Sequence, residues 1–455
     1  MSKRRILYLP IETKARELLG KTFLAARAVA RGWIVVTGQQ SDIHNLMKES
    51  PAGAYIEISI PELKAARLEQ MSKAGHRIAN LCEESLQYWH GRDYCHMKLG
   101  IGSLRWVDRL LVIGAKNAED ICAFRPQFAD KIAVTGNPRF DTLLSPLRRV
   151  YGLKAETIRN RYGRFLLVNT NFGGPNPYRL EKDQVERLKR MGMIMDDDHA
   201  DFVRRNSEYQ TRRMNSMQAM LKELASSGVV DRIILRPHPG EDHQVWRDWG
   251  TPLGIDIIYE GTAIEWILAA EAMVHPGCTT GIEGTLLDRP VFSFVPEPGL
   301  EFMKLSDQVS QQVVSAEDFA ARLKEIGSAR QEGSRLHLSS EHARLSNYVA
   351  NTEPPFAADK ILDELDGFDL PTFTAEEVRP PNRNSLSQYS RAFRKVFRNC
   401  LNAPIPPQSI PRKLQKFPGV NLSEFIQPLD IWCQDRILNK QPRVSSSDGR
   451  LYIWH

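Results

Sequence analysis

Two short motifs in the second half of the chain combine residue types that are suited to holding a phosphate group. The first is Arg236-Pro237-His238-Pro239, and the second runs from His275 to Glu283. Each follows an apolar run and turns polar and glycine-rich where a strand of a parallel sheet would end, which is where such sheets bind ligands. Free backbone N–H groups and threonine hydroxyls ahead of a helix can hold a phosphate. The sequence therefore predicts a nucleotide site made of Arg236, His238, Pro239, His275, Gly277, Thr279, Thr280, Gly281 and Glu283.

Simpler interpretations exist for several of these residues. His275 is a second candidate for the role of His238, because each histidine precedes a proline. The Thr279-Thr280 pair could only cap the helix that follows. Glu283 falls in the first turn of that helix, where the helix dipole favours a carboxylate even without a ribose contact.

Candidate acidic and basic side chains lie in the first half of the chain. Glu83 and Glu84 close a strand-like run, where they could supply a general base or form a solvated turn. Asp141 follows the sixth such run and could cap a helix from Thr142. Residues expected to meet the donor or acceptor are Lys14, Arg16 and Lys21 near the first loop, and Asn169, Asn171 and Gly173 in the glycine-containing loop that opens the second series. The basic ones could equally be exposed helix-start residues.

The elements that must position these residues alternate regularly between strand and helix. Strand-like runs such as Ile6–Leu9 and Arg77–Leu81 alternate with amphipathic helices up to about Pro146, and a second series begins at Phe165. This alternation predicts two doubly wound parallel sheets, that is, two Rossmann-like domains. We expect domains at 1–148 and 165–345, a helical connector at 149–164, and a basic, proline-containing, partly helical appendage at 346–455, whose removal after Gly367 should spare the fold.

Two facing α/β domains with a phosphate motif in the second are the arrangement of GT-B glycosyltransferases. The segments Ile6–Glu17, Ala79–Ser85 and Ile132–Asp141 resemble bacterial surface-carbohydrate biosynthesis proteins, which in turn resemble CMP-sugar-dependent transferases of Kdo or sialic acid. Those enzymes share an acidic pair followed by glycine, a His-Pro dipeptide and a later Ser/Thr cluster. This chain has Glu83-Glu84, His238-Pro239 and Thr279-Thr280, but Ser85 stands where glycine is usual.

The resemblance implies an α/β, GT-B-like fold with a cleft between the domains and a CMP-activated donor. It implies that the histidine of His238-Pro239 contacts the CMP phosphate and that Asp141 could form a covalent adduct, since some β-Kdo transferases retain configuration. We expect a glycosyltransferase of surface polysaccharide synthesis that acts on a glycan or glycolipid, with no metal and no cofactor beyond its donor. The alternatives are a UDP-sugar transferase, a CDP-glycerol-type phosphotransferase and a scaffold without activity.

Composition and charge restrict the location and the partners. The 42% hydrophobic and 25% charged residues are typical of a soluble globular protein, and the first residues are too weakly apolar for a secretory signal, so we expect a cytoplasmic protein. Six scattered cysteines are predicted to be free thiols. The net charge of +6 is concentrated in residues 379–416, which carry nine basic and no acidic residues. This segment could bind an anionic membrane surface or lie as a solvated flank, and no nucleic-acid-binding module accompanies it.

Overall fold

The architecture is that of a computed structural model, which describes residues 3–178, 183–190, 192–297, 299–331, 343–378, 417–447 and 450–454. The basic segment 379–416, with its predicted helix and its predicted membrane contact, lies outside the described residues.

The first sheet has eight strands in the order β13-β14-β2-β1-β3-β4-β5-β6. Its six parallel strands come from the N-terminal third of the chain, and an antiparallel hairpin from the C-terminus extends it at β2. The strands are β1 Ile6–Ile11, β2 Ile34–Gln39, β3 Ala54–Glu57, β4 Arg77–Leu81, β5 Arg109–Val112, β6 Ile132–Val134, β13 Arg443–Ser447 and β14 Arg450–Trp454.

The second sheet has six strands in the order β12-β11-β10-β7-β8-β9, and all of its pairs are parallel. The strands are β7 Leu166–Asn169, β8 Ile233–Arg236, β9 Asp256–Ile257, β10 Ala272–His275, β11 Val291–Phe294 and β12 Gln311–Val313. The apolar run from Ile264 to Val274 is divided, because its first half is helix and its second half is β10.

Helices cover both faces of both sheets. In the first domain and the connector they are α1 Lys14–Ala30, α2 Gln40–Met47, α3 Ala65–Lys73, α4 Gly91–Lys98, α5 Ile101–Leu104, α6 Ala115–Phe124, α7 Pro138–Asp141 and α8 Gly152–Tyr162. In the second domain they are α9 Gln184–Arg190, α10 Asp197–Ser227, α11 His243–Gly250, α12 Ala263–Ala269, α13 Thr280–Leu286, α14 Leu305–Gln308 and α15 Ala316–Gln331. The described C-terminal helices are α16 Ala357–Asp366, α17 Ala375–Val378 and α18 Leu422–Gln434. Short 3₁₀ helices span Glu62–Lys64, Pro126–Lys131, Leu147–Tyr151, Thr251–Leu253 and Leu300–Phe302.

The chain returns to the first domain after the second sheet is complete. Helix α16 packs against α1, and the guanidinium groups of Arg27 and Arg31 pair with Asp359 and Asp363. Trp432 of α18 is fully buried, and its ring meets that of Phe23 at 5.3 Å. The expected C-terminal appendage is therefore, in its described part, a component of the first domain.

The two sheets are parallel except for the C-terminal hairpin of the first. Joined by α8, with the chain crossing back at α16, they make a GT-B-like fold of two Rossmann-like domains, as the sequence predicted. Each sheet has apolar clusters on its faces. No described helix is long and apolar enough to cross a membrane. The five described cysteines are free thiols.

Candidate functional site

The carboxyl ends of both sheets face each other across the cleft between the domains. Trp89, in the loop after β4, donates its indole N–H to the carbonyl of Phe302 in the second domain at 3.0 Å. Arg139 of α7 forms an ion pair with Glu283 of α13, and both side chains are largely buried. Because loops that follow strands of both sheets make these contacts, the cleft is bounded by the positions where the sequence placed its candidate residues.

Glu241 organises the loop that carries His238. Its buried carboxylate accepts hydrogen bonds from the Thr170 hydroxyl at 2.8 Å, the Phe172 backbone N–H at 2.8 Å and the Trp246 indole at 2.6 Å. Burial raises the pKa of this carboxyl to about 7. Glu241 therefore joins the loops after β7 and β8. Glu241 was not among the residues predicted from the sequence, although it stands two residues after the first motif.

His238 presents a defined donor to the cleft. Its Nδ1 accepts the backbone N–H of Gly240 at 3.1 Å, so the proton of the neutral ring is on Nε2. Although the residue is exposed toward the cleft, desolvation by the surrounding protein, with the charges of Lys304 and Arg16, lowers the pKa of the imidazole to about 4. His238 is therefore neutral near pH 7 and keeps one N–H, at Nε2, for which the described residues provide no acceptor.

His275 serves the fold of the second motif. It is fully buried, its Nδ1 accepts the backbone N–H groups of Gly277 and Cys278 at 3.0 and 3.3 Å, and its Nε2 lies 2.9 Å from the Ser310 hydroxyl. An added Cβ at Gly281 would come within 2.2 Å of the His275 ring. The structure therefore gives His275 a structural role, because the ring is enclosed by the loop it shapes, and its contact with the nucleotide stays a prediction.

The same contacts change the predicted phosphate cradle. Gly277 and Cys278 donate to His275, and the N–H groups of Gly281, Ile282 and Glu283 are used in the turn that starts α13. Thr279 and Thr280 are of intermediate exposure. The Thr280 hydroxyl oxygen is nevertheless buried, so Thr279 is the one of the two whose hydroxyl is not enclosed.

A buried ion pair fixes the floor under this loop. Arg213 of α10 binds Asp307 at 2.8 Å, and Ser293 donates to the same carboxylate oxygen at 2.5 Å. Burial acts against ionisation, but Arg213 keeps the pKa of Asp307 below its usual value. Gly277 adopts a φ of +80° directly above this carboxylate, a conformation that favours glycine.

The remaining predicted residues of the second domain divide between the scaffold and the cleft. Arg236 is buried against the ring of Trp266 and donates to the carbonyl of Glu260 at 2.6 Å, so its guanidinium serves the fold. Asn169 is buried in the sheet, with its amide nitrogen 3.1 Å from the Met273 sulfur. Asn171, Gly173 and Pro239 lie in the loops beside His238, and Asn171 donates to the Gly277 carbonyl at 3.0 Å.

Arg16 and Glu84 form the first-domain wall that faces His238. The Glu84 carboxylate, with its side chain 52% exposed, contacts Arg16 at 3.3 Å and Lys98 at 2.5 Å. Although burial opposes ionisation, these two cations lower the pKa of Glu84 to about 2. Charges of both Arg16 and Glu84 act on the His238 imidazole. The two domains meet here, because the Lys304 ammonium of the second lies 4.6 Å from the centre of the Trp89 ring of the first.

Glu83 points into the first domain. It accepts the amide of Asn137 at 3.1 Å and lies 3.8 Å from the Lys21 ammonium, which is itself paired with the buried Glu17 at 3.0 Å. Burial raises the pKa of Glu83. Lys21 is buried as well and is paired within the first domain, and its contact with a substrate stays a prediction.

Two further predictions are replaced by structural roles. The Lys14 ammonium pairs with Glu424 of α18 at 2.6 Å, which ties the returning chain to α1. Asp141 is buried, and its two carboxylate oxygens accept the backbone N–H groups of Ala357 and Ala358 at 3.0 and 2.9 Å. Asp141 thus caps α16, which leaves the predicted covalent adduct without a free nucleophile.

Lys304 is a member of the site that the sequence did not indicate. Its ammonium lies 4.6 Å from the centre of the Trp89 ring, across the domain boundary. Burial lowers the pKa of the amine, and its charge acts on His238. It makes no hydrogen bond through Nζ to the described residues. Lys304 follows a proline-rich loop without a recognisable motif, so only the fold reveals its position.

Within the ranges that the structure describes, no three His, Cys, Asp or Glu side chains are grouped closely enough to hold a metal ion.

Comparisons with known proteins return only distant structural similarity. No protein-family model matches the sequence, and no curated protein does either. The wall teichoic acid polymerase TagF superposes with a TM-score of 0.48 at 12% identity, over 80% of this chain and 87% of that one. A putative UDP-N-acetylglucosamine 2-epimerase from Listeria monocytogenes gives 0.48 at 12% identity, over 81% and 98%. HepE from Anabaena, in complex with UDP and glucose, gives 0.47 at 10% identity, over 81% and 100%. These values are too low to support an inference about activity.

Proposed function

We propose that this protein is a glycosyltransferase of bacterial surface polysaccharide synthesis that takes its sugar from a nucleotide-activated donor. The observation that carries the proposal is the position of three donors at the boundary between the domains. Lys304 of the second domain lies 4.6 Å from the Trp89 ring of the first, and Arg16 of the first lies 3.3 Å from Glu84. Both cations are near enough for their charges to act on His238. All three can donate hydrogen bonds to an anion, and they converge where the ends of two parallel sheets face each other.

These donors suit the departure of a nucleotide phosphate. When the sugar leaves, negative charge builds up on the phosphate oxygens, and fixed donors in a partly dehydrated cleft stabilise it. His238 offers its Nε2–H while neutral, and the ammonium of Lys304 and the guanidinium of Arg16 add positive charge. Thr279, which is of intermediate exposure, stands in the same loop and can add a hydroxyl contact to the phosphate.

For the donor we propose a CMP-activated acidic sugar of the Kdo type. Such a donor carries a sugar carboxylate in addition to its phosphate, and the cleft around His238 holds two cations, Arg16 and Lys304, against one facing carboxylate, Glu84. A UDP-sugar or a CDP-glycerol donor offers a diphosphate to the same cations, so donor binding separates these cases.

Glu83 and Glu84 differ in solvent exposure and in pKa, and this difference suits them to different roles. Glu84 is the member that a substrate can reach, but with a pKa of about 2 its carboxylate is a weak proton acceptor at neutral pH. Contacts on two sides suit it to orienting Arg16. Glu83 has the raised pKa of a better base but faces Asn137 and Lys21. The general-base role of the pair stays a prediction.

The proposal is tested by thermal unfolding of the full chain with CMP, CDP, UDP or GDP. A ligand that binds only the folded state raises the melting temperature by mass action. We expect CMP to give the largest shift. A shift with UDP alone would indicate a UDP-sugar donor in place of the CMP-activated one. No shift with any nucleotide would favour a scaffold without activity.

Two variants locate the binding site. Lys304→Met keeps the length of the side chain but removes its charge, and we expect CMP affinity, measured by calorimetry, to fall about tenfold, as for one charge-assisted hydrogen bond. The matched control is Lys222→Met, on an exposed position of α10. Equal CMP affinity in both variants would show that Lys304 does not contribute to nucleotide binding.

A further inference from the structure

A cavity between the domains lies beside the proposed nucleotide site and has no assigned ligand. It has a volume of about 600 Å³, part of which is open to solvent. The first domain contributes Tyr88, Trp89, Asn117 and Asp120, and the second contributes Leu305 and Gln308. Ser85, directly after the acidic pair, also lines it.

Hydrogen bonds at one end of the cavity fix the orientation of a buried amide. Tyr88 donates its hydroxyl proton to Asp120 at 2.7 Å. Burial and this carboxylate raise the pKa of the Tyr88 hydroxyl far above its usual value, so the phenol stays protonated. Having given its proton to Asp120, the hydroxyl can only accept from Asn117, whose Nδ2 lies 3.4 Å away.

The amide oxygen of Asn117 is thereby left without a donor. Asn117 is only 3% exposed, and its Oδ1 has no hydrogen-bond partner among the described residues. A buried acceptor without a partner costs stability, so such groups in native proteins usually serve a ligand or a bound water. Since Asn117 lines the cavity, its oxygen is an acceptor for a molecule that enters it.

The other groups restrict the chemistry of that molecule. Lys116 and Asp120 form an ion pair at 2.5 Å, so they bring no net charge to attract an anion. Tyr88 and Trp89 provide flat aromatic surfaces, while Asn117, Ser85 and Gln308 provide uncharged polar groups. This combination fits a neutral, hydroxyl-rich ring, which has polar groups at its edge and C–H groups on its faces.

We propose that the cavity binds a neutral sugar unit of the acceptor, with a sugar hydroxyl donating to Oδ1 of Asn117. The proposal rests on the proposed function for the word acceptor only, because binding of a sugar to the cavity can be measured without nucleotide or transfer.

The experiment measures binding of methyl β-glucoside, methyl β-galactoside, methyl N-acetyl-β-glucosaminide and glucuronate to the full chain by saturation-transfer NMR. We expect at least one neutral glycoside to bind in the millimolar range. Asn117→Leu removes the acceptor at nearly constant volume and should weaken that binding about tenfold. Asn160→Leu, on an exposed position of α8, is the matched control and should bind as the parent does.

Binding of CMP to each variant separates this proposal from the previous one. Nucleotide binding without binding of any glycoside overturns the sugar cavity and leaves the transferase proposal intact. Glycoside binding without nucleotide binding overturns the transferase proposal and leaves the sugar cavity intact. Preference for glucuronate over the neutral glycosides, or unchanged glycoside binding by Asn117→Leu, also overturns the assignment.

Discussion

His238 and His275 stand in similar sequence contexts, each before a proline at the end of a strand, but hydrogen bonds give them opposite roles. Both rings accept backbone N–H groups at Nδ1. The difference is the second nitrogen, which meets Ser310 in His275 and faces the cleft in His238. The strand ends could be predicted from the sequence, but the choice between the two histidines depends on which one the α13 turn encloses.

Replacing the two histidines should separate folding from binding. We expect His275→Ala to lower the free energy of unfolding by about 3 kcal/mol, because it leaves a cavity and two buried N–H groups without an acceptor. His238→Ala, at an exposed position, should change it by less than about 1 kcal/mol while abolishing the melting shift with CMP. Urea unfolding of both variants measures the difference, and equal destabilisation would contradict these roles.

Glu241 predicts a particular dependence of stability on pH. Its pKa is raised to about 7 in the folded state, so between about pH 4.5 and 7 the folded protein holds a proton that the unfolded chain has lost. The free energy of unfolding should therefore fall as pH rises through this range, by at most about 1.4 kcal/mol per pH unit.

Glu241→Gln removes that contribution, although it lowers stability overall because an amide nitrogen replaces an acceptor. The measurement is urea unfolding at several pH values, with the exposed Glu208→Gln as the control. If Glu241→Gln and Glu208→Gln show the same slope with pH, the carboxyl at position 241 is ionised throughout.

Sequence reasoning found the parts of the site that follow strands and missed those that depend on the docking of the domains. His238, Arg16 and Glu84 were predicted because each lies just past an apolar run. Lys304 and Asn117 become important only through partners such as Trp89 and Tyr88. Buried salt bridges are equally hard to predict from the sequence. Lys21 resembles an exposed lysine at a helix start, but in the structure it is paired with the buried Glu17.

At the scale of elements, the spacing of apolar residues and the positions of glycine and proline predicted the two series of parallel strands. They did not predict that the C-terminal residues join the first sheet. Proline and serine after Gly367 suggested an appendage, whereas β14 pairs antiparallel with β2. The run Arg450–Trp454 is short, and its pairing with a strand hundreds of residues earlier has no local signal. The hydrophobic face of α18 packs against α1 and the 3₁₀ helix Leu147–Tyr151, both far away in the chain, so the local sequence does not reveal these contacts.

Removing this return of the chain should therefore damage the first domain. We expect truncation after Gly367 to lower the melting temperature or abolish folding, contrary to the expectation from sequence. Trp432→Ala should cost about 3 to 5 kcal/mol, as for a large buried aromatic side chain, because the indole packs on Phe23 and donates to the Leu147 carbonyl at 3.3 Å.

The control is Trp249→Ala on α11, which is only partly buried and far from α1 in the chain. Thermal stability is measured by circular dichroism during heating. If the truncated protein is as stable as the parent, the residues after Gly367 are a dispensable appendage, as the sequence suggested.

At the scale of the whole molecule, residues 379–416 are proposed to hold the protein on an anionic membrane surface. We expect the full chain to sediment with vesicles containing phosphatidylserine at low salt and less so as the Debye length falls to about 8 Å. A variant with glutamine at Arg391, Arg394, Lys395 and Arg398 should stay in solution while binding CMP normally. Sedimentation of that variant at the parental level would contradict the proposal.

Two of the ion pairs at the boundary between the domains differ mainly in exposure, which makes a matched test of how the cleft is held. Arg139 and Glu283 are largely buried, whereas Arg148 and Asp288 are 33% and 58% exposed.

Glu283→Gln leaves the Arg139 charge buried without its partner and should cost about 3 kcal/mol or more. Asp288→Asn should cost less than about 1 kcal/mol, since asparagine also tolerates the φ of +56° at that position. The double variant Arg139→Met, Glu283→Met should regain most of the loss because no unpaired charge remains. Hydrogen exchange at α7 and α13, together with urea unfolding, measures all three variants. Equal effects of the two single substitutions would contradict the larger role assigned to the buried pair.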